Sequence, residues 1–254
     1  MNRTIERTLQ ILNYVGESDG VTLKEITNYM MIPKSSVFDI VQSLLELKLL
    51  EQHRLNDRKY ILGIAAYSLG SKYTKNRSLF QVAAPYLNTL ADKLKRTSFM
   101  GTLDGTDIIY IYKYAGDGAK LATCSVGSKH PAYATALGKA YLAYLPDEER
   151  IATVDKINFI QKTNNTIKNK QDLIENLKLV KKRGYSIDCK ENEDLMICYG
   201  APIFDSTSSI VAAISFSDVR NNDYSDDEIG GFVRECALNI SRDLGYLETQ
   251  YWDK

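Results

Sequence analysis

The chain has 254 residues, 44% apolar and 25% charged, with no net charge at neutral pH. That is an ordinary globular balance, which excludes wholesale disorder and, at roughly 150 residues per domain, leaves room for two compact domains or one large one. A protein that coats nucleic acid without selectivity is strongly basic, and this one is not, so any DNA binding must rest on a few placed cations and on pairing of subunits.

Charge is unevenly spread along the chain. Residues 1–75 carry ten Lys/Arg against eight Asp/Glu, residues 76–183 seventeen against ten, and residues 184–254 five against fourteen. The longest apolar runs, such as Ile210-Val211-Ala212-Ala213-Ile214, fall well short of the about 20 residues of a membrane span. The start, Met1-Asn2-Arg3-Thr4-Ile5-Glu6, leads into an amphipathic pattern and not a signal-peptide core. Four cysteines (Cys124, Cys189, Cys198, Cys236) form no CxxC pair, which reads as reduced thiols in a cytoplasmic protein. With two histidines, His53 and His130, neither a His-rich metal site nor a zinc catalyst is expected, and no cofactor is implied.

In chain order, Ile5, Leu9, Leu12 and Val15 recur at helical spacing, and Gly16 with Asp19-Gly20 closes that helix. Thr22-Leu23-Lys24-Glu25 is a capping box opening a short helix that buries Leu23 and Ile26. Met30-Met31-Ile32-Pro33 makes a turn, because proline drives the residue before it out of the helical region. Lys34-Ser35-Ser36 offers caps for a third helix with a buried stripe of Val37, Ile40 or Val41, Leu44 and Leu47. Residues 49–53 and 59–62 are strand-like around the turn residues Asn56-Asp57. Three short helices followed by a hairpin are the order of a winged helix-turn-helix, here spanning residues 1–63.

Residues 64–77 read as a linker helix bearing Ile64, Tyr67 and Leu69. Residues 78–250 read as an α+β domain. It starts with a helix presenting Leu79, Val82, Ala83, Tyr86, Leu87, Leu90 and Leu94 on one face. Strands are expected at 98–103, 108–114, 121–125, 185–189, 196–204 and 209–217. Helices are expected at 134–144, at 170–183 closed by Gly184, and from the capping box Ser225-Asp226-Asp227-Glu228 to Gly245.

Several blocks together resemble the IclR family of bacterial transcriptional regulators. In the first 63 residues they are Arg7-Thr8-Leu9-Gln10-Ile11-Leu12, Thr22-Leu23-Lys24-Glu25-Ile26, Ile32-Pro33-Lys34-Ser35-Ser36-Val37 and Lys59-Tyr60-Ile61-Leu62-Gly63. Further on they are Gly127-Ser128-Lys129-His130-Pro131, Thr135-Ala136-Leu137-Gly138-Lys139-Ala140, Arg183-Gly184-Tyr185, the run from Ile197 to Asp205, and Val211-Ala212-Ala213-Ile214-Ser215. The resemblance covers nearly the whole chain. It implies a winged helix-turn-helix, a linker helix and a GAF-like effector-binding and oligomerisation domain, working as a homodimer or dimer of dimers on a palindromic operator in double-stranded DNA.

In a helix-turn-helix the second helix enters the major groove N-terminus first. Lys34, Ser35, Ser36, Phe38, Asp39 and Gln42 form that leading face, with Arg58 and Lys59 of the wing as phosphate or minor-groove contacts. Gln42 suits adenine and the hydroxyls suit phosphate. Where the family commonly carries arginine this chain has Asp39, which repels phosphate yet can accept from cytosine N4.

The effector pocket implied by the resemblance involves Ala136, Leu137, Asp188, Cys198, Ser215 and Ser217, with Met100 or Gly101 along one wall. Residues 134–139 sit at a helix start, which favours an anion, although small residues there also serve plain helix packing. Its likeness to a phosphate loop fails for want of an upstream glycine. The mix suggests a small organic acid, such as a sugar acid or an aromatic acid, while Tyr133, Tyr141 and Tyr144 belong to the core. An enzyme using Cys198 or Ser215 would need a base, and only His130 is available. The reading is therefore a ligand-responsive repressor and not an enzyme; a sensor acting through a protein partner without DNA is the alternative.

Overall fold

The structure is a computed structural model and describes residues 2–75, 78–119, 123–218 and 224–247. The chain divides into two compact units, Met1–Asn76 and Arg77–Lys254. The helix expected as a free linker thus counts with the first unit, while the end of the expected linker (76–77) and of the expected second domain (248–250) lie outside the described residues.

The first unit runs α1 (Arg3–Gly16), β1 (Val21–Thr22), α2 (Leu23–Met30), α3 (Lys34–Glu46), β2 (Leu50–His53), β3 (Asn56–Leu62) and α4 (Ile64–Lys75). Its core gathers Ile11, Val15, Ile26, Val37, Val41, Leu44 and Leu50. The α1 stripe is rotated from the expected one: Ile11 is fully buried, whereas Ile5 and Leu9 are more than half exposed. Leu47 is also exposed, because it caps α3 and no longer points inward. Thr22 and Glu25 close the expected capping box of α2, and Met31 ends that helix in the left-handed region at φ 49°. Strand β1 adds to the hairpin, pairing Val21 with Tyr60, so the wing sheet has three strands in the order β1-β3-β2.

The second unit runs α5 (Leu79–Leu94), β4 (Thr97–Asp104), β5 (Asp107–Ala115), β6 (Lys129–Pro131), α6 (Ala136–Tyr144), α7 (Asp147–Val154), α8 (Lys170–Arg183), β7 (Ser186–Cys189), β8 (Ile197–Phe204), β9 (Ile210–Asp218) and α9 (Asp226–Asp243). Six antiparallel strands form one sheet in the order β6-β5-β4-β9-β8-β7. Strand alternation sends Met100, Tyr199, Ala201, Ile203, Ile214 and Phe216 to one face, where they meet α5 and α9. Phe99 and Ala213 go to the other face and meet Leu137 and Ala140 of α6. Of the strand expected at 121–125, residues 121–122 lie outside the described residues and 123–125 are not a strand. The strand that pairs with β5 is instead β6, with Ile108 opposite His130. No described helix is long and apolar enough to cross a membrane.

Candidate DNA interface and effector cavity

Helix α3 starts at Lys34 with Pro33 as its cap residue and no side-chain cap. Ser35 and Ser36 are therefore not caps: they sit inside the first turn. The first intrahelical bond runs from the Val37 amide to the Pro33 carbonyl. The amides ahead of it face the helix end, where an anion is favoured. Val37, Val41 and Leu44 anchor one side of α3 in the core. Residues 35, 38, 39 and 42, spaced three, four and seven apart, share the other side. Lys34, Ser35, Phe38 and Asp39 are exposed there, and Ser36 and Gln42 half-buried. In the wing, Arg58 is exposed and Lys59 half-buried. Its turn is held by the Arg58 amide donating to Asn56 Oδ1 and the Leu55 amide donating to His53 Nδ1. All eight residues expected at the DNA are thus presented by one rigid helix and one hairpin.

The candidate effector cavity lies on the α6 face of the large sheet. Register brings its floor together: Phe99 is opposite Ser215, Cys198 opposite Ser217, and Asp188 opposite Cys198. The cavity is narrow, with about 20 Å³ of free interior, and its lining includes Phe99, Tyr110, Asp188, Cys198, Ser215 and Ser217. Four expected residues, Asp188, Cys198, Ser215 and Ser217, line it together.

The other four do not. Met100 points through the sheet into the α5/α9 core, since neighbours on a strand face opposite ways. Gly101 follows a register shift in β4 and lies on the α6 side, where an added Cβ would come within 3.3 Å of Leu137 Cδ1 and 2.9 Å of the Ile109 carbonyl. Leu137 packs with Phe99, Ile108 and Tyr110. Ala136 is pinned to the sheet, its carbonyl accepting from Ser186 Oγ at 2.6 Å. Gly200 makes that approach possible, because a Cβ there would lie 2.7 Å from the Ala136 carbonyl oxygen.

Sequence reasoning missed Phe99, Tyr110, Thr123, Cys124, Asn192, Glu193 and Met196, all in the cavity lining. Phe99 and Tyr110 were reachable by alternation from Ser215 and its neighbouring strands. Thr123, Cys124 and the 192–196 loop belong to no periodic element, so only the folded chain locates them.

Charge in this region is buried and incompletely balanced. Lys139 is fully buried; its ammonium donates to the Ile187 carbonyl and pairs with the Glu191 carboxylate. The second carboxylate oxygen of Glu191 is buried with no hydrogen-bond partner among the described residues. Asp188 Oδ1 accepts from the backbone amides of Glu191 and Asn192. Burial nevertheless pushes the Asp188 carboxyl up to about 7, with Lys139 opposing and Glu191 adding to the rise. Thr163 and Thr166 hydroxyls donate to the Lys190 and Glu191 carbonyls, fixing the loop that carries these carboxylates.

Burial and the nearby Asp188 also push the Cys198 thiol well above its ordinary range, and burial lowers His130. An activated thiolate needs the opposite shift, so a Cys198–His130 nucleophilic pair has no support in this geometry. Among the described residues no three His, Cys, Asp or Glu side chains cluster as a metal site would require.

An exposed recognition helix with its wing, joined in one chain to a sheet-floored cavity, can be compared with known proteins. Residues 4–54 match the model of the IclR helix-turn-helix domain, and residues 71–242 match that of the bacterial transcriptional regulator IclR C-terminal domain. The chain belongs to the IclR family. Members of this family are DNA-binding transcriptional regulators with a C-terminal effector domain, and not enzymes. Among its relatives, the HTH-type transcriptional regulator KdgR of Dickeya chrysanthemi is 28% identical over 96% of this chain and 80% of its own length. The crystal structure of the Agobacterium tumefaciens repressor BlcR superposes with a TM-score of 0.78 at 26% identity, covering 98% of this chain and 99% of that one. An IclR homologue from Microbacterium hydrocarbonoxydans, solved with 4-hydroxybenzoate, shares the fold with a TM-score of 0.58 at 21% identity over 95% of this chain and 98% of its own.

Proposed function

We propose that this IclR-family regulator is a cytoplasmic repressor, and that a small organic acid in the effector cavity sets its affinity for a palindromic operator. Its working form in this reading is a homodimer or dimer of dimers, with Lys34, Ser35, Ser36, Phe38, Asp39, Gln42, Arg58 and Lys59 on DNA. The observation that carries the reading is the convergence of Asp188, Cys198, Ser215 and Ser217 on one cavity.

The cavity chemistry suits a small acid. Ser215 offers a hydroxyl donor, while the Ser217 and Thr123 hydroxyls, which donate to the Thr97 carbonyl and the Glu193 carboxylate, present lone pairs. A carboxyl held up to about 7 is in good part protonated at neutral pH and donates to a carboxylate or a carbonyl, as an ordinary aspartate cannot. Lys113 lies close by, its ammonium donating to the Cys124 carbonyl at 2.8 Å and lying 5.7 Å from the Phe99 ring centre. The Phe99 and Tyr110 rings, 5.2 Å apart edge to face, give an apolar wall. One structural neighbour was itself solved with an organic acid, 4-hydroxybenzoate. The ligand acts by binding two arrangements of the paired DNA-binding units unequally, and α4, which ends the first unit and leads into the second, is the segment that couples them.

The test starts from DNA fragments pulled down by the full chain at roughly 0.1 M salt, where weak non-specific contacts are screened. A shared palindrome is expected, and titration of candidate acids should then move operator affinity at least about fivefold, the usual scale of such coupling. Ser215→Ala should remove that response and leave ligand-free operator binding unchanged. Uniform recovery of fragments would transfer the reading to a sensor that works through a protein partner. An acid that binds the cavity yet leaves operator affinity unchanged at matched salt would sink the coupling.

A further inference from the structure

A pocket of about 70 Å³ lies where α7 and α8 meet the end of α6. That is several times the volume one water needs and far below that of a site enclosing a whole drug-sized ligand, so it suits a compact head group. It shares no lining residue with the effector cavity. Ala143, Ile174 and Leu177 supply its apolar lining, and Arg150, Lys178 and Lys181 supply three cations.

Separate helices bring the cations together. Ile174, Lys178 and Lys181 stand four and three residues apart and so share one face of α8, while Arg150 comes from α7. The Arg150 side chain is only 21% exposed and is held at both terminal nitrogens. One donates to the Leu145 carbonyl at 3.2 Å and the other to Asp147 Oδ1 at 2.7 Å. Those bonds use two of the five guanidinium N–H groups, which orients the plane of the group and leaves donors over.

Among the described residues neither Lys178 nor Lys181 joins an ion pair, and Asp147 is the one carboxylate paired with any of the three cations. Two positive charges are therefore left unbalanced at the pocket. Burial and the nearby Arg150 hold the Lys181 ammonium below its ordinary range, with Asp147 opposing. Lys181 lies in the last turn of α8, where a cation complements the helix dipole, but that accounts for neither Lys178 nor Arg150. A solvated basic face spreads its charges outward, whereas these three converge on one concavity.

We propose that the α7/α8 pocket is a second ligand site, which takes a dianionic phosphoryl group, carried by a small phosphomonoester or free as phosphate. Its two charges balance the local surplus. The Arg150 fork and the two ammonium groups supply donors to its three terminal oxygens.

The experiment is calorimetric titration of the full chain with glycerol 3-phosphate, inorganic phosphate and acetate at roughly 0.1 M salt. The proteins are wild type, Lys178→Gln, Lys181→Gln, the double Gln variant, Lys178→Arg and Ser215→Ala. Wild type should bind one phosphate compound per chain, and acetate, with one charge and two oxygens, at least about tenfold more weakly. Each single Gln variant should weaken phosphate binding at least about threefold and the double variant about tenfold. Lys178→Arg and Ser215→Ala should retain it. Tighter binding of glycerol 3-phosphate than of phosphate would assign the source to a phosphomonoester, and equal binding to the free ion; both support the site. Thermal unfolding checks the fold, and Lys181→Gln, relieved of repulsion from Arg150, should be no less stable than wild type. No saturable binding up to roughly 20 mM, acetate as tight as phosphate, or a double variant equal to wild type would overturn the site. Phosphate binding lost in Ser215→Ala but kept in the lysine variants would place it in the effector cavity and likewise overturn the proposal.

Discussion

The two units place their candidate sites in opposite environments. The candidate recognition face of the first unit is on the outside: Phe38 is 45% exposed and Asp39 is exposed, so solvent hydrates these groups. The candidate site of the second is inside, where Lys139 is 0% and Asp188 4% exposed. Substitutions at the outer site should change recognition with little change in stability, whereas at the inner site the two are inseparable. That region is built from groups that are expensive to bury.

The largest effect that would sharpen this contrast comes from Lys139→Met. It strands the Glu191 carboxylate in the interior, and the expected loss is about 3–5 kcal/mol, as for a broken buried pair. Denaturant unfolding followed with separate probes in each unit should show the second unit destabilised and the first unmoved. A loss below about 1 kcal/mol would mean that water already solvates this pair.

Next comes the pH dependence set by Asp188. Its folded value of about 7 lies above the ordinary 3.8, so the folded state holds the proton more tightly than the unfolded chain. The associated stability is fully present below about pH 4 and is lost as pH rises through about 7. Asp188→Asn should abolish that decline and leave the variant more stable than wild type at pH 8, by up to roughly 4 kcal/mol at about 1.4 kcal/mol per unit. Parallel stability curves for the two proteins between pH 5 and 8 would refute the buried-carboxyl account.

At the outer site, Asp39→Ala should alter base preference at one position of each half-site by about 1–3 kcal/mol. Its folding stability should stay within about 0.5 kcal/mol of wild type. Selection from a randomised operator library measures the first, and unchanged preference at every position would reduce Asp39 to a solvated surface residue. The smallest effect expected is Thr22→Ala, which removes the capping box of α2 at about 1 kcal/mol. Thermal unfolding should report it in the first unit only.

Legibility followed the same division. The outer site was readable because its residues are close in sequence and carried by one helix and one hairpin. Even there, Pro33 and not Ser35 or Ser36 stands at the N-cap of α3, and Ile5 and Leu9 of α1 stay exposed. A 3.6-residue period shows that a helix has an apolar face but not which neighbours will cover it. For the inner site, Asp188, Cys198, Ser215 and Ser217 came from likeness to the family and were found lining one cavity. Met100 failed because the wall faces the other way by one residue, and only the pairing of Phe99 with Ser215 decides which of two adjacent side chains looks inward.

By itself, then, the sequence determined the family, the three-helix-plus-wing order, the helix starts at the capping boxes of Thr22 and Ser225, and the solvent-facing side of α3. All of these are set by residues within a few positions of one another, where backbone geometry and periodicity act directly. Only the tertiary structure decided the sheet order β6-β5-β4-β9-β8-β7, the burial of Lys139 against Glu191, and the meeting of Phe99 with Ser215 across 116 positions. Those depend on strand register and desolvation, which arise when distant segments exclude water together and leave no local mark in the chain.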